Sequence, residues 1–201
     1  MKKDNRTMKE MRVKDGKPGG FDTFSILDVV FMAIVAAIFG ILAVYNLLIT
    51  DYLRVALGLY GGLIVGGLFH VPGIIAFTVI KKKGAAFITQ NLFGISQLMF
   101  GSPVGFLVLF FTGAESLGLE LTFFLFKYPQ KDKTYIWAIA GMVSTLFAQI
   151  PNYLVYGFGG MPWWSWVLPI IFVGVPSGAI FSILLTRAAL HVIPKRFLQR
   201  Q

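Results

Sequence analysis

The chain has no cysteine, so neither a disulfide framework nor a thiolate metal site can be built from its 201 residues. Histidine is nearly as scarce: His70 and His191 are the only two, too far apart to suggest a metal centre. Charge is short as well, at 13% of residues against about a quarter in a typical soluble domain. The usual catalytic motifs are missing: there is no HExxH, no GxSxG, no Walker lysine loop and no paired His and carboxylate on one face. Neither an enzyme nor a cofactor is expected, and active transport would need an ion gradient or a partner that supplies the energy.

What is present is apolar. The chain is 56% hydrophobic with a mean hydropathy of +0.74, and its 20 Phe and 22 Gly fit helices that face lipid. The net charge of +9 comes from short basic segments beside apolar runs, not from a groove with interleaved aromatics, which argues for membrane topology and against nucleic acid. Residues 1–22 are too polar for the core of a secretory signal, and no small-residue cleavage pattern follows the first apolar run. They are expected to be a retained, disordered basic tail, followed by a membrane domain over 23–193 and a second basic tail over 194–201.

A spanning helix takes about 20 mostly apolar residues, at a rise of about 1.5 Å each across about 30 Å of hydrocarbon. Six stretches approach this: Ile26–Ile49, Val55–Ile80, Ala85–Phe100, Val104–Phe126, Ile136–Phe158 and Trp166–Leu190. Asp51 and Arg54 suggest a wet turn after the first, Pro72 and Gly73 a kink in the second, and the third is short. Long, non-alternating runs imply helices, because a backbone in lipid must satisfy its own hydrogen bonds. Of the 18 Lys and Arg, Arg54 alone falls off one side of a six-span arrangement. By the positive-inside rule that side is cytoplasmic, giving an all-α membrane protein, a six-helix bundle in the cell membrane with both termini in the cytoplasm.

Ionisable residues inside a span are costly and mark function unless a neighbouring helix satisfies them. Glu115 and Glu120 stand out in the fourth run. Five residues at about 100° each set them roughly 140° apart, so one can bind a substrate while the other ties helices together. Gln90, Asn91 and Gln149 are expected to be interhelical hydrogen-bond donors. Gln97, Asn152, Tyr156 and Asn46, in the outer halves of their helices, can either meet a substrate arriving from outside or serve as helix glue and caps. Gly159 to Trp166 form an aromatic outer connection in which Trp164 is either an interfacial anchor or part of a lid. Ala33 with Ala37, and Ala36 with Gly40, are small pairs at helical spacing that let another helix approach, inside the bundle or from a partner.

KKKGAAF (Lys81 to Phe87), LMFGSPVG (Leu98 to Gly105) and GAESLGLELTFFLFKY (Gly113 to Tyr128) resemble the YkoE family, over about Leu27 to Ala189. These are S components of energy-coupling factor (ECF) transporters, linked to thiamine or its precursor. The resemblance implies six helices and docking of small residues on the first helix, here Ala33, Ala37 and Gly40, against a transmembrane coupling subunit driven by two ATPase subunits. It also implies capture of a vitamin in the outer half of the bundle and reorientation of the bundle in the membrane. The chain departs from the family pattern in carrying Gln90 and Gln97 where acidic residues are common, Glu115 where an amide is, and Asn152 where an Asp is. The rival expectation is a stand-alone proton-coupled carrier using Glu115 or Glu120.

Overall fold

A computed structural model describes residues 23–129, 131–155, 157 and 160–193. Both tails and Tyr156 therefore lie outside the described residues. All regular elements among the described residues are helical and make six rods: α1 (Ile26–Leu57), α2 (Leu59–Ile80), α3 (Ala85–Met99), α4 (Leu107–Leu125), α5 (Thr134–Val155) and α6 (Trp163–Val192). Five of the six are long and apolar enough to cross a membrane. The exception is α3, whose 15 residues span about 22 Å.

α1 starts where its sequence can close a cap. The Ser25 hydroxyl accepts from the Asp28 N–H at 3.2 Å, and the Asp28 carboxylate accepts from the Ser25 N–H at 2.8 Å. The wet turn expected at Asp51 and Arg54 does not occur, and α1 runs on to Leu57. Asp51 and Arg54 are one turn apart on its exposed face, 3.6 Å from each other, which helix geometry welcomes. The break comes at Gly58, whose φ of 59° suits a residue without a side chain.

α2 therefore begins at Leu59 rather than Val55. It is α-helical to Gly66, tightens into a 3₁₀ turn over Gly67–His70, and resumes over Val71–Ile80. The irregularity sits one turn before Pro72, because proline has no N–H to close a bond back to the preceding turn. Every residue of Val71–Ile80 is buried, so this half of α2 is the centre of the bundle. Phe77 stacks on Phe123 of α4 with ring centroids 3.9 Å apart, within a core shared by Ile74, Leu119, Trp137 and Ala140.

The remaining boundaries also shift for local reasons. α4 starts at Leu107 instead of Val104, since Gly101 and Gly105 adopt positive φ in the turn around Pro103. α6 starts at Trp163, so Trp163 to Trp166 form its first turn rather than a loop, and a π-helical stretch over Ile170–Gly174 follows Pro169. Pro162 precedes that turn with φ −55°.

One end of the bundle is basic and tied together. Lys82 reaches Asp28 at 2.7 Å and the Thr23 carbonyl at 3.0 Å, and Lys81 pairs with Asp132. We call this the basic end and its opposite the far end.

Candidate functional site

Toward the far end the helices part around a cavity of about 420 Å³, a size typical of small-molecule sites. Its walls are mainly apolar, and Phe69 of α2 and Phe111 of α4 give it aromatic faces. Polar groups are few and come from five helices: Thr50 and Arg54 of α1, His70 of α2, Gln97 of α3, Glu115 and Thr112 of α4, and Thr145, Gln149 and Asn152 of α5.

The buried carboxylate of the cavity is Glu115, 6% exposed. Gln90 of α3 orients it, donating from Nε2 to Glu115 Oε2 and to the Phe69 carbonyl, both at 2.7 Å. The other carboxylate oxygen stands 3.8 Å from Nδ1 of His70. That imidazole is held at both nitrogens: Ser144 Oγ lies 3.0 Å from Nδ1 and Thr145 Oγ1 2.9 Å from Nε2.

Each hydroxyl has one proton to give, which makes the cluster an either-or arrangement. Thr145 also reaches the Gly141 carbonyl at 2.8 Å, so donation there leaves its oxygen to accept from Nε2–H. Ser144 chooses between Nδ1 and the Glu115 carbonyl, 3.0 Å away. If it donates to Nδ1 the imidazole is neutral. If it donates to the carbonyl, its oxygen is left to accept from Nδ1–H, so either imidazole tautomer fits the same heavy atoms.

The residues singled out in the sequence divide in space. Glu115, Gln97 and Asn152 line the cavity. Asn152 donates to the Ala148 carbonyl at 3.0 Å and to Gln149 Oε1 at 3.2 Å. Gln97 is 1% exposed, and its side-chain nitrogen has no hydrogen-bond partner among the described residues. Asn46 is buried but does not line the cavity; Thr50, one turn further on, does, and donates to the Asn46 carbonyl at 2.8 Å. Trp164 is exposed at the start of α6, edge-on to Trp163, and stands away from the lining.

Glu120 lies toward the basic end, about 7.5 Å further along α4 than Glu115 at the helical rise and about 140° round it. Its Oε1 accepts from the Gly84 N–H at 2.8 Å and from the Tyr128 hydroxyl at 2.7 Å, which joins the α2–α3 connection to α4. On α1, Ala33 is exposed and Ala37 half-buried, whereas Gly40 is buried against α3. A Cβ on Gly40 would stand 2.1 Å from Ser96 Oγ, so its close approach is spent inside the bundle. Gln90 and Asn91 do join helices, Asn91 through Ser116 of α4 at 3.0 Å.

Sequence reasoning passed over His70, Arg54, Thr112 and Thr145. His70 carried one usable signal: it precedes Pro72 by two residues in the middle of an apolar run, and an interrupted helix at membrane depth is tolerated where it faces protein or a cavity. The hydroxyls carried none, since mid-helix Ser and Thr commonly bond only to their own helix.

The bundle resembles a crystal structure of an S-component of an ECF transporter, with a TM-score of 0.79 at 20% identity over 85% of each chain, which shows a common fold. By sequence the chain is similar to the "Putative HMP/thiamine permease protein YkoE" of Bacillus subtilis (strain 168), 25% identical over 169 residues, 83% of this chain and 82% of that one. The likeness to YkoE and to S components thus stands in both sequence and fold. A family described as the permease component of an ABC-type cobalt transport system matches residues 27–147. Cobalt is part of that family's description; among the described residues no three His, Asp or Glu are grouped to hold a metal ion. The match takes in more than half of the sequence, and the chain belongs to this family of multi-pass membrane transport components.

Proposed function

We propose that this protein is the substrate-capturing S component of an ECF-type uptake transporter, and that its ligand is thiamine or the hydroxymethylpyrimidine precursor. The observation that carries the proposal is the buried carboxylate of Glu115, oriented by Gln90 inside a largely apolar cavity between aromatic faces. Both ligands contain an aminopyrimidine whose N–H groups suit a carboxylate, and thiamine adds a fixed positive charge. Gln97 and Asn152 would contribute further polar contacts. Asn46, Tyr156, Trp164 and Glu120 are left out of this site: Asn46, Trp164 and Glu120 do not line the cavity, and Tyr156 lies outside the described residues.

In this reading all six helices cross the membrane, with the basic end and both termini in the cytoplasm, so the cavity opens outward. α3 crosses despite its length because Lys81 to Lys83 stand ahead of it in the polar zone. Ala33 and Ala37, on the accessible face of α1, dock on the coupling subunit, and two ATPase subunits supply the energy. The bundle then reorients to release its cargo.

The test is binding to purified protein in detergent, followed by tryptophan fluorescence. Thiamine or hydroxymethylpyrimidine should bind and riboflavin should not; absence of binding by folded protein would sink the proposal.

The 3.8 Å approach of His70 to Glu115 favours a second reading, a proton-coupled carrier that works alone. Uptake that survives loss of ATPase partners and collapses with the proton gradient would select it.

A further inference from the structure

Arg54 is the basic residue that the charge pattern leaves away from the basic end, and the capture reading gives it no task. It stands in the last turn of α1, half exposed. Its side chain lies flat along α2: a Cβ built on Gly62 would be 2.8 Å from Arg54 Nε and 3.3 Å from its Nη2. Any side chain at position 62 lifts the guanidinium off this seat. Gly58 and Gly66 flank Gly62 at four-residue spacing; all three line the cavity, and a Cβ on Gly58 or Gly66 would meet nothing within 4 Å. The glycines leave a groove along α2 that leads from Arg54 toward His70, eight residues beyond Gly62, or about 12 Å at the helical rise. The unpartnered side-chain nitrogen of buried Gln97 belongs to the same cavity, so a second donor awaits an acceptor there.

We infer that the cavity is bipolar: Glu115 takes the basic ring end of the ligand, and Arg54, seated on Gly62, takes an oxygen acceptor at the other end, a hydroxyl or its phosphate ester. This rests on the capture reading. A phosphate ester gains most, because a planar guanidinium gives it paired, charge-assisted hydrogen bonds. Asp51, 3.6 Å from Arg54, competes for the same group. A ligand confined to the pyrimidine end does not reach Arg54 and is indifferent to it.

The experiment measures the affinities of thiamine monophosphate, thiamine and hydroxymethylpyrimidine for the full chain in detergent, alongside Arg54→Gln, Gly62→Val and Asp51→Asn. Arg54→Gln should lower the ratio of monophosphate to hydroxymethylpyrimidine affinity at least tenfold while changing the latter less than twofold. Gly62→Val should act in the same direction by displacing an intact guanidinium, and Asp51→Asn should tighten the monophosphate severalfold. Two results overturn the inference alone: Arg54→Gln leaving the ratio unchanged, or an unaltered protein that binds hydroxymethylpyrimidine but not the monophosphate. An unaltered, folded protein that binds none of the three overturns the capture reading and this inference with it.

Discussion

α2 is packed at one end and hollow beside the other. From Val71 to Ile80 every residue is buried, while from Leu59 to Gly66 only Gly61 and Leu63 are. The same rod meets Phe123 and Leu119 of α4 at the basic end and open space at Gly66 toward the far end. His70 sits at the boundary, in the turn where the helix tightens. The difference teaches a division of labour: the packed half holds the bundle together, so the hollow half can leave room without collapsing.

Four substitutions break or sharpen this contrast. The largest effect is expected from Phe123→Ala in the packed half, which removes the ring stacked on Phe77 and should cost about 3–5 kcal/mol, seen as a lower Tm in detergent, with ligand affinity unchanged in the folded fraction. Glu115→Gln should do the reverse. Thiamine affinity falls at least tenfold, about 1.4 kcal/mol, while thermal unfolding moves little because the amide keeps a hydrogen bond to Gln90.

Gly66→Ala separates the two halves more finely. The position is helical, at φ −58°, and nothing stands in the way of a methyl group, so stability should rise by about 0.5–1 kcal/mol while the added methyl weakens ligand binding. A parallel loss of stability would show that this side of α2 is packed after all. The smallest effect belongs to Lys82→Ala, which removes a partly exposed ion pair with Asp28; under about 1 kcal/mol is expected, with affinity unaffected.

Much of the fold was legible because the bilayer imposes few choices. Apolar runs of about the right length announced the rods, and Lys81 to Lys83 marked the end of α2. The errors came from reading polarity as structure. Asp51 and Arg54 looked like a turn, yet polar residues are good helix formers when they face water, and only Gly58 changes the backbone direction. Trp163 to Trp166 looked like a loop because Gly and Pro precede them, yet Pro162 stands well at a helix start. At the site, a carboxylate in an apolar run made Glu115 conspicuous. His70 was not, because the hydroxyls that define its setting, Ser144 and Thr145, lie 74 and 75 residues away and no local pattern joins them. The glycines at 58, 62 and 66 show their spacing in the sequence, but what they leave open depends on which helices stand opposite.

The joint between α1 and α3 has one more consequence. From Ile26 to Thr50 the apolar part of α1 is about 37 Å long, whereas α3 is about 22 Å, and the two are clasped where Gly40 meets Ser96. In the six-span reading proposed above, one is longer than about 30 Å of hydrocarbon and its immediate neighbour shorter. Lipid along that seam would then thin or thicken, or the helices tilt, to match them. Membrane thickness would thereby become a handle on the tilt of the whole bundle, turned by acyl-chain length with no ligand present.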